Sequence, residues 1–156
     1  MNQAKTSCLI LACGNTLCSD DGLGPWIANW SEEHFGDDPG VRVISRQQWT
    51  PDLAEDIANA DSVLFLDCSL ESAPGQIKLT AVESAAQGPG LATHHTGAAE
   101  LLALTQELYG AAPRTCLLLT IGGGSTELGE SLSPAVLAAL PEACRLLEAT
   151  VREPLR

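Results

Sequence analysis

The chain alternates short, unbroken apolar runs with segments of helical periodicity. Continuous apolar runs of this length are typical of strands that are buried on both faces of a parallel sheet. Five strands are predicted, at Cys8 to Cys13, Val41 to Ile44, Ser62 to Leu66, Ile77 to Val82 and Thr115 to Ile121. The alternating polarity of Ile77 to Val82 suggests an edge strand, and the run that ends at Leu66 is expected to stop at Asp67.

Helices are predicted between these strands, after residue 24, at 51–58, from Ala98 to Tyr109, and from Ser133-Pro134 onward. Gly110 is expected to end the third helix, and Pro141 is expected to kink or restart the last one. The pattern predicts an α/β fold, a single-domain three-layer sandwich over residues 1–156. Its mostly parallel, twisted sheet carries helices on both faces.

Charge and composition exclude several classes of function. The 20 acidic residues against 8 basic ones give a net charge of −12, which disfavours a nucleic-acid partner. No apolar run approaches the roughly 18 residues of a membrane span, so no membrane partner is expected. The six cysteines are interpreted as free thiols in a reducing cytoplasm. The stretch Leu9 to Cys13 resembles a lipoprotein cleavage box, but its apolar core is too short.

Polar residues that can bind a metal follow three of the predicted elements. Asp20 and Asp21 follow the first strand, Asp67 follows the third, and His94 and His95 precede the third helix. In an open α/β sheet such loops meet in a crevice, where two carboxylates and an imidazole suit nickel, zinc or iron. From spacing alone, the structural interpretation is the commoner one for each residue taken singly: a helix cap, a turn former or an ordinary histidine.

Other chemistries find less support in the sequence. The segment from Gly14 to Gly24 lacks the lysine of a phosphate-binding loop and the spacing of a dinucleotide site, so no nucleotide cofactor is expected. Residues 122–124, all glycine, form either a phosphate-binding loop or, more simply, a mobile one. A structural zinc site at Cys13 and Cys18 is weakly supported, and a Cys68 nucleophile paired with His94 stays open.

Four motifs in order resemble the nickel–iron hydrogenase maturation endopeptidases. The first is Gly14-Asn15-Thr16-Leu17-Cys18-Ser19-Asp20-Asp21-Gly22-Leu23-Gly24, which is similar to the family's Gly-Asn-x-Leu-x-x-Asp-(Asp/Glu)-x-x-Gly. The others are Leu64-Phe65-Leu66-Asp67 with Pro74-Gly75, Thr93-His94-His95-Thr96-Gly97, and Glu127-Leu128-Gly129-Glu130-Ser131-Leu132-Ser133-Pro134. Together they span nearly the whole chain.

The resemblance implies an aspartyl-type endopeptidase that cuts the C-terminal extension from a hydrogenase large-subunit precursor after nickel insertion. It implies that Asp21, Asp67 and His94 contact nickel carried by the substrate, that Asp20 shapes its loop, and that His95 is the alternative histidine. The attacking nucleophile is not identified. A different hypothesis keeps the same crevice but makes the chain a non-catalytic metal-sensing or metal-delivery protein.

Overall fold

The computed structural model describes residues 6–84 and 97–152, which form one five-stranded sheet with helices on both of its faces. The strands are β1 (Thr6–Cys13), β2 (Val41–Arg46), β3 (Ala60–Ser69), β4 (Ile77–Ala81) and β5 (Thr115–Gly122). The α-helices are α1 (Leu23–Phe35), α2 (Leu53–Ala58), α3 (Ala98–Tyr109) and α4 (Pro134–Arg152). The predicted α/β class is confirmed.

The strand order in the sheet is β2-β1-β3-β5-β4. All neighbouring strands are parallel except β4, which pairs antiparallel with β5. The position of β4 at an edge of the sheet confirms the prediction of an edge strand. From β1 the chain passes first to β2 on one side and then to β3 on the other, so the strand order reverses between β1 and β3. Such a reversal opens a crevice beyond the carboxyl ends of the two strands, which is where this topology favours ligand binding.

Two apolar clusters, one on each face of the sheet, form the core. Along β1, Ile10 points to the cluster beneath α1 and α4, while Leu9 and Leu11 point to the cluster beneath α2 and α3. Full burial of one such side chain is worth about 1.5–3 kcal/mol. The alternation therefore fixes the register of β1 and confirms the predicted three layers.

Two details of the elements differ from the sequence prediction. β3 does not stop before Asp67: Asp67, Cys68 and Ser69 continue the strand because they pair with Thr120, Ile121 and Gly122 of β5. Strand pairing satisfies the backbone of these polar residues, which apolar periodicity could not reveal.

The predicted restart at Pro141 is also wrong, because α4 runs through Pro141 without interruption. Leu140 and Ala143, which flank the proline, are buried in the core. A proline inside a helix costs about 3 kcal/mol. The packing of its neighbours against the sheet offsets this cost.

Helix ends follow the predicted signals. Gly110 ends α3 in the left-handed conformation, with φ of +64°, which favours glycine. At the start of α4, the Val136 N–H donates to Ser133 Oγ at 3.4 Å. Among the described residues, no helix has both the length and the apolar character needed to cross a bilayer.

Candidate active site

The crevice between β1 and β3 brings Asp21 and Asp67 together. Asp21 lies in a short 3₁₀ helix, Ser19–Gly22, that follows β1. Asp67 is the third residue from the carboxyl end of β3. The two carboxylates are near enough for the negative charge of Asp21 to raise the pKa of Asp67. Two of the three predicted site residues therefore share one location in the structure.

Glycine and asparagine of the first motif hold Asp21 in place. The Asn15 N–H donates a 2.7 Å hydrogen bond to Asp21 Oδ2. Gly14 has a φ of +152°, and a Cβ at this position would lie 2.0 Å from the carbonyl oxygen of Asp21. A Cβ on Gly24 would lie 2.4 Å from the carbonyl oxygen of Cys13. These glycines let the loop and the start of α1 fold closely over the end of β1.

Asp20 has a different environment from its neighbour. Its side chain is 0% exposed, and its carboxylate accepts hydrogen bonds from the N–H groups of Gly124, Ser125 and Ser133 at 2.7, 3.0 and 2.6 Å. Burial alone would raise the pKa of Asp20, but the hydrogen bonds outweigh it and lower the pKa. Asp20 thus joins the loop after β1 to the loop after β5, which confirms its predicted role in shaping the loop.

The backbone N–H groups of the three glycines at the end of β5 are already hydrogen-bonded, so they are not available to a phosphate. The Gly122, Gly123 and Gly124 N–H groups donate to the Gln76 carbonyl, the Ser69 carbonyl and the Asp20 carboxylate, respectively. An anion-binding loop needs such N–H groups to be free. The phosphate-binding alternative for residues 122–124 is therefore wrong.

Asp67 is only half-buried, and within the described part of the chain it receives fewer hydrogen bonds than Asp20. Its Oδ1 accepts a 2.8 Å hydrogen bond from the Cys68 N–H. Burial raises the pKa of Asp67 to about 7; the Cys68 hydrogen bond lowers it, and the charge of Asp21 adds to the increase. Near neutral pH, Asp67 can therefore take up or release a proton, or exchange it for a cation.

The two thiols beside these carboxylates are poor nucleophiles. Burial raises the pKa of Cys13 to about 12, with a further increase from Asp67, an opposing hydrogen bond at the Trp49 backbone and a contribution from Asp21. Burial likewise raises the pKa of Cys68 to about 12, with contributions from Asp67, Asp21 and Asp20. Because the thiolate is the reactive form, the Cys68 nucleophile finds no support here. All six cysteines are free.

His94 and His95 lie outside the described residues. Within the described ranges, no group of three or more His, Cys, Asp or Glu side chains is arranged to hold a metal ion. The structure therefore brings together the two predicted carboxylates and leaves the predicted imidazole as an expectation.

Sequence reasoning missed how much the loop after β5 contributes to the site. The N–H groups of Gly124, Ser125 and Ser133 hold Asp20, whereas the sequence predicts for Ser133 only the start of a helix. The one available signal was the motif from Glu127 to Pro134, whose position in the crevice no local pattern could give.

Comparisons with known proteins agree on one family. The profile of the family described as "Hydrogenase maturation protease" matches residues 28–150. The hydrogenase 2 maturation protease of Escherichia coli (strain K12) is 27% identical over 152 residues, which cover 93% of this chain and 90% of that protein.

Solved structures share the fold. The hydrogenase maturating endopeptidase HybD from E. coli superposes with a TM-score of 0.76 at 24% identity, covering 94% of this chain and 93% of that chain. The [NiFe] hydrogenase maturation protease HycI from Thermococcus kodakarensis KOD1 gives a TM-score of 0.74 at 21% identity, with 96% and 94% covered.

Proposed function

This chain belongs to the hydrogenase maturation protease family, and we propose that it removes the C-terminal extension of a nickel–iron hydrogenase large-subunit precursor once nickel is inserted. That it is an endopeptidase of hydrogenase maturation follows from the family. The proposal adds the substrate and the signal, since nickel held by the precursor would be the feature that the enzyme recognises.

The pair formed by Asp21 and Asp67 carries this proposal. Both carboxylates lie where the strand order reverses, and the charge of one raises the pKa of the other. Bringing two negative charges together in a partly buried crevice is unfavourable, and a divalent cation between them would relieve the repulsion. Carboxylate oxygens can complete the coordination of a nickel ion that the precursor already holds through its cysteines.

His94 is proposed as the third ligand. Ala98, four residues later in the chain, is buried in the same apolar cluster as Phe65, which precedes Asp67 by two residues. His95 is the competing candidate, and the family motif favours His94.

Recognition and cutting are linked through the position of the metal. Asp21, which is held by the Asn15 N–H, would bind the nickel together with Asp67 only when the precursor presents it. Cleavage would then be restricted to nickel-loaded substrate. Nickel bound in this way can position or polarise the scissile peptide, or lower the pKa of a bound water. The thiols of Cys13 and Cys68, protonated at neutral pH, take no part as nucleophiles in this proposal.

The proposal needs no nucleotide cofactor, and it assigns the reaction to the cytoplasm, where free thiols persist. The test incubates the enzyme with nickel-loaded and nickel-free precursor and weighs the products by mass spectrometry. We expect a C-terminal fragment only from the loaded precursor. Equal release from both forms would contradict recognition of nickel. Binding without any change in mass would contradict the cleavage and favour metal delivery.

A further inference from the structure

Exposed apolar side chains gather at the end of the sheet that holds the site. The described residues include seven exposed large apolar side chains, and five of them follow or adjoin the carboxyl ends of β1, β3 and β5. These are Leu17, Trp26, Leu70, Leu128 and Leu137; the other two, Leu108 and Tyr109, lie at the end of α3. Clustering of this kind marks an interaction surface, whereas isolated exposed leucines do not.

Leu17 lies on the loop after β1 and Leu128 lies on the loop after β5. Hydrogen bonds join these two loops, which we call together the double loop. The Gly129 N–H donates to the Leu17 carbonyl at 2.9 Å, and the Ser19 N–H donates to the Gly129 carbonyl at 2.7 Å. Ser19 Oγ donates to the Glu127 carbonyl at 2.7 Å. Leu17 is 54% exposed and Leu128 90% exposed, although the backbone beneath them is ordered by these bonds. A preordered apolar surface loses little entropy when it binds.

A cavity continues this surface onto α1. Its volume is about 310 Å³, and Thr16, Trp26, Asn29, Glu130 and Leu132 are among the residues that line it. The Trp26 side chain is 43% exposed. Aromatic side chains beside such a depression are typical anchor points in protein–protein interfaces.

The segments that form the two loops and line the cavity carry acidic side chains and no lysine or arginine. Residues 14–41 and 115–144 contain no Lys or Arg, although they supply both loops and the cavity. Glu127 and Glu130 are exposed on the double loop. We call the surface made by Leu17, Trp26, Glu127, Leu128 and Glu130 the apolar–acidic surface. It complements a partner that presents aliphatic side chains beside lysine or arginine.

We propose that the apolar–acidic surface docks the folded body of the hydrogenase precursor, through aliphatic side chains flanked by basic ones, whether or not nickel is loaded. This inference rests on the proposed function. The surface adjoins the crevice through Ser19 and Asp20, so a partner docked there lies next to Asp21 and Asp67. A second copy of this chain is a poorer occupant, because it would bring the same carboxylates into opposition.

The test measures binding of the nickel-free large-subunit precursor from the same organism by calorimetry, with the full chain and with variants. We expect the double variant Leu17→Ser with Leu128→Ser to weaken the Kd about tenfold or more. The matched control is Leu108→Ser, since Leu108 is 59% exposed but lies at the end of α3, and its Kd should stay within twofold. Both variants are checked by thermal melting, and Leu128→Ser alone serves if the double variant unfolds.

A Kd of the double variant within twofold of the unsubstituted enzyme would overturn the inference, as would a failure of that enzyme to bind nickel-free precursor. The variant Asp67→Asn separates the two proposals, because it should bind nickel-free precursor normally and yet release no fragment from loaded precursor. If the unsubstituted enzyme releases no fragment, the proposed function fails whatever the binding shows.

The acidic part of the surface has its own signature. Replacing both Glu127 and Glu130 by glutamine should flatten the dependence of Kd on salt concentration, because charges at the rim of an interface act over about a Debye length. An unchanged salt dependence would contradict the basic character assigned to the partner.

Discussion

Two carboxylates at the same end of the sheet have pKa values shifted in opposite directions. Asp20, in the loop after β1, is fully buried, and three backbone N–H groups hold its charge and lower its pKa. Asp67, at the end of β3, is less buried, and among the residues that the structure describes it accepts a hydrogen bond from the Cys68 N–H; burial raises its pKa to about 7. The supply of hydrogen-bond donors, rather than burial alone, decides which carboxylate is stable as a charge.

The difference separates a structural role from a functional one. Asp20 has its acceptor capacity taken up by the protein, so it fixes the loop and has little left for a ligand. Asp67 and Asp21 instead repel each other, and the charge of Asp21 raises the pKa of Asp67. Groups poised in this way are typical of functional sites, whereas satisfied groups are typical of scaffolds.

The largest effect is expected from removing a charge at the crevice. Asp67→Asn, which keeps the shape of the side chain, should lower fragment release from nickel-loaded precursor about 1000-fold, because it removes a ligand and a charge from the recognition site. Quantitative mass spectrometry of the released peptide gives the rate. Glu71→Gln, an exposed position in the loop after β3, is the control and should process normally. Full processing by Asp67→Asn would remove this residue from the site.

Removing the satisfied carboxylate should instead damage the fold. Asp20→Ala leaves the N–H groups of Gly124, Ser125 and Ser133 without their acceptor, so we expect a loss of about 3 kcal/mol in the free energy of unfolding. Urea denaturation measures this loss, with the exposed Asp37→Ala as the matched control. Equal stability of the two variants would refute the anchoring role of Asp20.

The raised pKa of Asp67 should make the stability of the folded chain depend on pH. Its pKa is about 7 in the folded chain against 3.8 for an ordinary aspartate, so between these values the folded state binds more protons than the unfolded state. Stability must then fall as the pH rises through this window. In the metal-free protein, we expect the free energy of unfolding to fall by about 2 kcal/mol between pH 5 and pH 8. Asp67→Asn should abolish this decrease.

Urea denaturation at these two pH values, with and without the substitution, provides the comparison. Glu71→Gln again serves as the control, since it should leave the pH dependence unaltered. The same decline in stability in Asp67→Asn would show that another group is responsible.

The smallest effect is expected at His95, and it decides the choice between two adjacent histidines. His94→Ala should lose fragment release as Asp67→Asn does, whereas His95→Ala should stay within about threefold of the unsubstituted rate. Parallel assays of both variants decide the assignment. If His95→Ala is the more damaging, the ligand is one position further along the chain.

Local patterns in the sequence predicted the layers and the central strands because burial on both faces leaves an unbroken apolar run, as in β1. They failed at the end of β3, where Asp67 to Ser69 owe their strand conformation to pairing with β5. The donors to Asp20 lie more than 100 residues away in the chain, so no local pattern could identify them. Leu128 was equally hidden, since an exposed leucine and a buried one look alike in a sequence.

The bonds between Asp20 and residues 124–133 also impose an order of events during synthesis. The motif that follows β1 leaves the ribosome early, but its anchor is complete only after β5 and Ser133 have emerged. Long-range contacts of this kind close late in folding. A nascent or truncated chain that ends before Ser133 therefore carries the recognition motif without its working shape, and the enzyme acquires activity only once the residues through Ser133 have been translated.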